Sequence, residues 1–223
     1  MKKTIFFIGL VTLSLNGFSQ VFVPEAYGNL ITTKPDERIN DIEGSPYFEE
    51  QYVQGTLLDK EGKTQHAYFR YNVSKDQVEI KVAPQQKQTF VLPRYPRYSY
   101  RLDNYTYILE KLTTDKGNSL EGYFMEYYQG AHSRLLGKPD IDVIPGTKAK
   151  SGYDKPKPAH INIDQVYYLQ LDGGPLHEVR LKEKDFKEYL EEKPGMEKYF
   201  DDHKIKDIED VKKMLEFYDQ SVK

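Results

Sequence analysis

The chain has 223 residues, a formal net charge of −3 and no cysteine. A charge this close to zero gives no support for binding to nucleic acid or to an anionic membrane surface. The missing cysteine excludes structural disulfides, thiol catalysis, thiolate metal sites and lipid attachment through a cysteine. The length suffices for one domain with a sizeable core.

The first twenty residues predict export from the cytoplasm. Two lysines near the start are followed by an apolar run from Ile5 to Leu15 and by small residues at Gly17 and Ser19. This order is typical of a secretory signal peptide, and the run is shorter than the roughly 20 residues that span a bilayer. We expect residues 1–19 to be removed as the signal peptide, which leaves a periplasmic, outer-membrane-associated or secreted protein. No later segment is apolar enough to form a transmembrane helix.

The remainder divides into three parts by its hydrophobic pattern. Residues 20–44 have little periodicity, and we expect an extended strap. Residues 45–181 alternate between apolar and polar side chains with frequent turn signals, which predicts an antiparallel β domain of about nine or ten strands. Within it, residues 138–158 are rich in Lys, Pro and Gly and predict a long mobile loop. Residues 182–223 change to a helical period.

One tyrosine-rich hairpin has a turn that fixes its register. The Asp-Asn pair at 103–104 suits a two-residue turn, because both residues tolerate positive φ. Tyr100 then pairs with Tyr107, and Tyr98 pairs with Leu109, on the same side of the hairpin. We therefore expect most of these tyrosine rings to lie in the core.

A second hairpin gives the same result. With a turn at Ser-Lys 74–75, Tyr71 pairs with Val78 and Phe69 pairs with Ile80. A slip of one residue would expose both apolar pairs to water. The predicted fold class is therefore mainly β (α+β), with an antiparallel meander that forms a barrel, a half-barrel or a sandwich. The hairpin registers do not choose among these three.

The C-terminal segment predicts two or three short helices that pack on the β domain. Phe186, Tyr189 and Leu190 have the i, i+3, i+4 spacing of an amphipathic helix. A longer apolar stripe begins at Ile208, and Asp207 before it is suited to cap that helix.

Known catalytic and metal-binding motifs give no positive signal. The sequence contains no GxSxG, no phosphate-binding glycine loop and no GxGxxG. His177 begins a stretch like the zinc motif HExxH, but the second histidine is missing and the stretch lies on a predicted strand. His160, Asn162 and Asp164 share one face of a strand, which is more typical of a polar solvent face than of a metal site. We therefore predict no catalytic residue, no metal and no cofactor.

Five strand, turn and helix signatures carry a resemblance to a known group of proteins. They are GSPYFEEQYVQGTLLD, FRYNVSKDQVEIK, YYLQLDGG, KDFKEYL and IEDVKKMLEFYDQ. With them the chain resembles uncharacterised exported proteins of Bacteroidetes-type Gram-negative bacteria, over most of residues 44–220 except 138–158. The resemblance implies a cell-envelope location and a β-rich domain with a helical tail, and it supplies no catalytic residues.

Three functional hypotheses follow. The first is a non-enzymatic envelope protein that binds a partner protein or contributes structurally. The second is a carrier for a small hydrophobic molecule or lipid, with the sheet curled around a cavity. That cavity would be lined by Phe69, Ile80, Tyr98, Tyr100, Tyr107 and Leu109. The third is a glycan hydrolase, which needs two carboxylates within about 10 Å in a cleft. Glu110, Glu121 and Glu126 lie on adjacent predicted strands, but so do many lysines and arginines, and no pair of carboxylates stands out.

Overall fold

In the residues that the structure describes, the strands form one mainly antiparallel sheet, and three helices follow it. A computed structural model of the protein describes residues 31–32, 42–147 and 157–222. The strands are β1 (Ile31–Thr32), β2 (Ile42–Glu43), β3 (Val53–Asp59), β4 (Thr64–Asn72), β5 (Gln77–Lys81), β6 (Phe90–Val91), β7 (Tyr98–Arg101), β8 (Thr106–Thr113), β9 (Ser119–Gln129), β10 (Ser133–Ile144), β11 (Ala159–Leu171) and β12 (Leu176–Val179). The predicted fold class is confirmed. The predicted signal peptide and most of the predicted strap lie outside the described residues.

The strand order shows how the chain winds. From one edge to the other, the order is β1-β6-β5-β4-β3-β7-β8-β9-β10-β11-β12, and β2 pairs in parallel with the start of β11. The sheet is not closed on itself, so a half-barrel or a sandwich fits it and a full barrel does not. We call β1 and β3–β7 the first half-sheet and β8–β12 the second half-sheet.

One predicted hairpin register is confirmed over the observed ladder of its two strands, and the other only near its turn. Strands β4 and β5 pair Phe69 with Ile80 and Tyr71 with Val78, as predicted. Strands β7 and β8 pair Tyr100 with Tyr107, but their ladder ends there. The predicted Tyr98–Leu109 pair is wrong, because β7 follows its other neighbour β3 while β8 follows β9, and the two strands diverge.

The tyrosine-rich core lies between the two half-sheets. The Tyr71 ring on β4 lies 5.1 Å from the Tyr107 ring on β8 and 5.8 Å from the Tyr123 ring on β9, centroid to centroid. Strands β4 and β9 are four places apart in the sheet, so the sheet folds back on itself at the β7–β8 corner. Aromatic pairs at these distances contribute beyond the area they bury.

The helices cover the second half-sheet on its inner face. They are α1 (Glu183–Leu190), α2 (Met196–Asp202) and α3 (Ile208–Ser221). Asp207 caps α3 as predicted and accepts a hydrogen bond from the backbone N–H of Asp210 at 3.0 Å. Asp219 accepts from the Tyr128 hydroxyl at 2.7 Å, which ties α3 to β9. Over the described part of the chain, no helix is both long and apolar enough to cross a membrane.

The loop predicted over residues 138–158 is wrong for part of its length. Strands β10 and β11 pair out to Ile144 and His160, so residues 138–144 belong to a strand. Pro139 and the lysines suggested a loop, but the chain keeps strand alternation beyond them. Proline is tolerated there because β9 stops pairing with β10 at Gly137. Residues 148–156 lie outside the described part of the chain.

Candidate functional site

The six residues predicted to line a carrier cavity lie together on the inner face of the sheet. The side chains of Phe69, Ile80, Tyr98, Tyr100 and Tyr107 are at most 4% exposed, and Leu109 packs against the same cluster. The rings of Phe69 and Tyr100 lie 5.4 Å apart, centroid to centroid. These side chains therefore pack on one another as core residues.

An open cleft of about 280 Å³ lies where β7 and β8 diverge. Its apolar lining comes from Pro96, Tyr98, Ile108 and Leu109. Its polar lining comes from Asp59, Lys60, Arg97, Ser99 and Glu110. Two of the six predicted ligand-binding residues, Tyr98 and Leu109, thus border a space that is open to solvent. The volume is close to the lower end of the range for small-ligand pockets.

The charged side chains around the cleft differ in the partners that they contact. The Asp59 carboxylate accepts a hydrogen bond from the backbone N–H of Lys63 at 2.7 Å, and Glu110 is ion-paired with Arg134 at 3.1 Å. Within the described residues, Lys60 and Arg97 form no ion pair. The Arg97 guanidinium lies 4.9 Å from the centre of the Tyr98 ring. The cleft lining therefore carries two acidic side chains, Asp59 and Glu110, and two basic side chains, Lys60 and Arg97.

Glu110 connects the cleft to a cluster of polar side chains on the outer face of the second half-sheet. Arg134 donates to Glu110 at 3.1 and 3.2 Å, to Glu126 at 2.8 and 3.0 Å, and to the side-chain oxygen of Gln170 at 3.0 Å. Burial raises the pKa of the Glu126 carboxyl, and Arg134 opposes that shift. Two glutamates that the sequence places on adjacent strands thus converge on one guanidinium. The third, Glu121, pairs instead with Lys111 at 3.7 Å on the surface.

A second gap in the sheet lies between β9 and β10, and side chains fill it. The backbone N–H of Tyr123 donates to Asp76 at 3.1 Å, and the Lys138 amine donates to the Tyr123 carbonyl at 3.3 Å. Arg94 pairs with Asp76 at 2.6 Å. A β-carbon at Gly122 would collide with the Asp76 carboxylate, so this position needs glycine. Asp76 and Lys138 replace the missing strand partner.

A buried contact joins the half-sheets through the segment that precedes β3. Glu49 accepts hydrogen bonds from the hydroxyls of Tyr105 and Tyr107, the latter at 2.6 Å, and from the backbone N–H of Tyr71 at 3.0 Å. Burial, with the nearby Glu49 carboxylate, raises the pKa of both tyrosines above the usual range. Sequence reasoning missed Glu49, Asp76 and Arg134 as organising residues, because no spacing pattern marks contacts between residues so distant along the chain.

Two of the five histidines form isolated contacts with carboxylates. His177 lies 3.1 Å from Asp115, and His132 lies 2.8 Å from Asp172. On the strand face that holds His160, the Asn162 amide donates to Asp164 at 3.0 Å. Among residues 31–32, 42–147 and 157–222, no group of three or more His, Asp and Glu side chains could hold a metal ion.

No known protein family, curated protein or solved structure matches the chain. The geometry of the cleft and of the polar clusters is therefore the basis for inferring a function. The cleft offers a concave surface with apolar walls, both acidic and basic side chains, and a stretch of β8 that does not pair with β7. Those are the elements of a binding site.

Proposed function

We propose that this chain is an exported envelope protein that acts by binding a partner, and that the cleft between β7 and β8 is its binding surface. The observation that carries this proposal is the divergence of two neighbouring strands, which leaves an open cleft bordered by strand edge. The proposal of export rests on the charge, apolar run and small residues of the N-terminal sequence.

The carboxylates next to the cleft favour binding over glycan hydrolysis. A hydrolase needs one carboxyl group to donate a proton and a second one to act as base or nucleophile. Glu110 and Glu126 are close enough for that chemistry, but both are bound to the guanidinium of Arg134. The Arg134 guanidinium thus occupies the space between the two carboxylates, where a hydrolase would hold the scissile bond.

The packing of the tyrosine core favours the cleft over an interior carrier site. A carrier needs a cavity of a few hundred cubic ångströms among the inner side chains. Phe69, Tyr100 and Tyr107 fill that region with ring contacts. Tyr98 and Leu109 are the predicted ligand-binding residues that also reach the open cleft.

Native mass spectrometry of the protein, purified gently from its own envelope fraction, tests the proposal. Ser99→Phe should fill the cleft, and Ser119→Phe makes the same change at an exposed strand position. We expect a bound partner or ligand on the natural protein and on Ser119→Phe, and its loss from Ser99→Phe. A ligand that stays bound to Ser99→Phe would place the binding surface elsewhere.

A further inference from the structure

Resting on that proposed function, we propose that the ligand of the cleft is a neutral saccharide, whose hydroxyl groups bridge the acidic and basic side chains of the lining. A sugar ring carries hydroxyl groups around its edge and C–H groups on its faces. Three features of the cleft match that chemistry: its balanced charge, the separation of its acidic from its basic groups, and its apolar wall.

The charges of the lining balance, so the cleft selects neither an anion nor a cation. The lining holds two acidic and two basic side chains, which are Asp59, Glu110, Lys60 and Arg97. Behind Glu110, the charges of Arg134 and Glu126 cancel each other in an ion pair of 2.8 Å. A charged ligand therefore gains no net attraction from the cleft, and a ligand without charge meets no opposing field.

The acidic and basic side chains line the same small cleft without contacting one another. In the part of the chain that the structure describes, no ion pair joins Asp59 or Glu110 to Lys60 or Arg97. An ionised carboxylate only accepts hydrogen bonds, whereas ammonium and guanidinium groups only donate them. A hydroxyl group does both, so a hydroxyl placed between the two kinds of side chain satisfies each of them. A saccharide presents several such groups.

Arg134 holds one carboxylate of the lining in place for this role. Its guanidinium donates to both oxygens of Glu110, at 3.1 and 3.2 Å. Each carboxylate oxygen keeps a further lone pair, and the Glu110 side chain is 34% exposed. Glu110 can therefore accept a hydrogen bond from a ligand hydroxyl without turning, which reduces the entropy lost on binding. The same contact with Arg134 keeps Glu110 from acting in hydrolysis, so the saccharide is bound and not cleaved.

Apolar side chains supply a wall against which a sugar ring can lie. Pro96, Ile108 and Leu109 line the cleft together with Tyr98. An apolar wall with a few polar groups beside it is the usual composition of a small-ligand site. A sugar ring meets both parts, with C–H groups on the wall and hydroxyl groups on the polar side chains. A peptide backbone carries its donor and its acceptor on separate atoms, so it cannot bridge these side chains through one atom.

An NMR titration of the isotope-labelled protein with maltose, cellobiose and chitobiose tests the inference. We expect at least one of these neutral disaccharides to shift the backbone amide signals of residues 97–99 and 108–110. N-acetyl-alanyl-alanine amide, a neutral ligand without hydroxyl groups, should bind at least about tenfold more weakly. Equal or tighter binding of this dipeptide would overturn the saccharide class. So would the absence of any shift with all three disaccharides at about 20 mM.

Variants of Arg97 separate hydrogen bonding from charge. Arg97→Gln keeps hydrogen-bond donors and removes the charge, whereas Arg97→Leu removes both. Arg97 is exposed, so both variants should fold. We expect the affinity for the disaccharide to fall by less than about threefold for Arg97→Gln and by at least about tenfold for Arg97→Leu. Lys116→Leu, at an exposed turn away from the cleft, is the control and should bind as the natural protein does. Equal losses in the two Arg97 variants, or unchanged binding by Arg97→Leu, would contradict the inference.

The outcomes separate this inference from the proposed function. If no disaccharide binds but Ser99→Phe still removes a native ligand, the saccharide class is wrong and the binding cleft stands. If no disaccharide binds and Ser99→Phe removes nothing, both proposals fall. A native ligand with the mass of a saccharide, lost from Ser99→Phe and from Arg97→Leu, would support both, and its mass would tell a free sugar from a fragment of a glycan chain. A partner protein lost from Ser99→Phe would keep the cleft and overturn the saccharide.

Discussion

Two gaps interrupt the same sheet, and they differ in whether side chains bind the backbone groups that the gap exposes. Between β9 and β10, the Tyr123 N–H and C=O are taken up by Asp76 and Lys138, and Arg94 balances the charge of Asp76. Between β7 and β8, no comparable side chain among the described residues bridges the strands, and a cleft remains. Exposed backbone groups in a native sheet are normally satisfied by protein or water. The capped gap is therefore structural, and the open gap is the better candidate for a ligand.

The largest expected effect comes from disturbing the capped gap at Gly122. Gly122→Val forces a side chain into a position with φ of 128° and against the Asp76 carboxylate. We expect a loss of about 3 kcal/mol in the free energy of unfolding, measured by urea denaturation. Gly117→Val is the matched control, since Gly117 also has positive φ but no atom within 4 Å of the added β-carbon. Equal losses in the two variants would show that the contact with Asp76 is unimportant.

Removing the charge of Asp76 should have the next largest effect. Asp76→Asn keeps the shape of the side chain and tolerates the observed φ of 48°. The variant weakens the acceptor for the Tyr71 hydroxyl and for the Tyr123 N–H, and it removes the ion pair with Arg94. We expect a loss of about 2 kcal/mol in the free energy of unfolding. The exposed Asp142→Asn should stay within about 0.5 kcal/mol of the natural protein. A comparable loss in both variants would argue against a capping role.

Filling the open gap should cost little stability. Ser99→Phe places a ring in a cleft that already opens to solvent, so we expect thermal unfolding to report a change of less than about 1 kcal/mol. Ser119→Phe gives the cost of the same ring on an exposed strand. A loss for Ser99→Phe as large as that for Gly122→Val would mean that the two gaps are equally structural.

The smallest expected effect is a pH dependence from Glu126, which shares Arg134 with the cleft residue Glu110. Burial raises the pKa of Glu126 in the folded protein, so the folded state binds a proton more readily than the unfolded state. The contribution of this group to stability is present at low pH and is lost as the pH rises through the folded-state pKa. The free energy of unfolding of the natural protein, relative to Glu126→Gln, should therefore increase as the pH falls from 7 toward 4. A difference that shrinks over that range would contradict the assignment.

Local sequence was sufficient for the parts of the fold that short turns determine. The β4–β5 register follows from a turn at 74–75 and from alternating apolar residues, and the structure has those pairs. The β7–β8 register held only beside its turn, because the far ends of these strands follow neighbours that are distant in sequence. Residues 138–144 were assigned to a loop for a related reason. Proline and lysine are weak strand formers, and the pairing with β11 that overrides them is not visible locally.

The cleft and the polar clusters were less accessible to sequence reasoning. Tyr98 and Leu109 were identified as candidate ligand-binding residues, but on the expectation of an enclosed cavity. The contacts of Arg134 with Glu110 and of Glu49 with Tyr107 join residues 24 and 58 positions apart. Neither residue type nor spacing marks such contacts, which depend on how the whole sheet folds back.

The buried contact of Glu49 has a consequence for how the chain reaches its folded state. Glu49 is synthesised before both tyrosines that it binds. Its hydrogen bonds to them can form only after more than fifty further residues have been synthesised. Closing so large a loop costs conformational entropy before any contact compensates for it, and domains dominated by such nonlocal contacts fold in milliseconds to seconds. Until β8 is in place, the Glu49 carboxylate is exposed to water. We therefore expect this residue to report the step in which β8 docks against the first half-sheet.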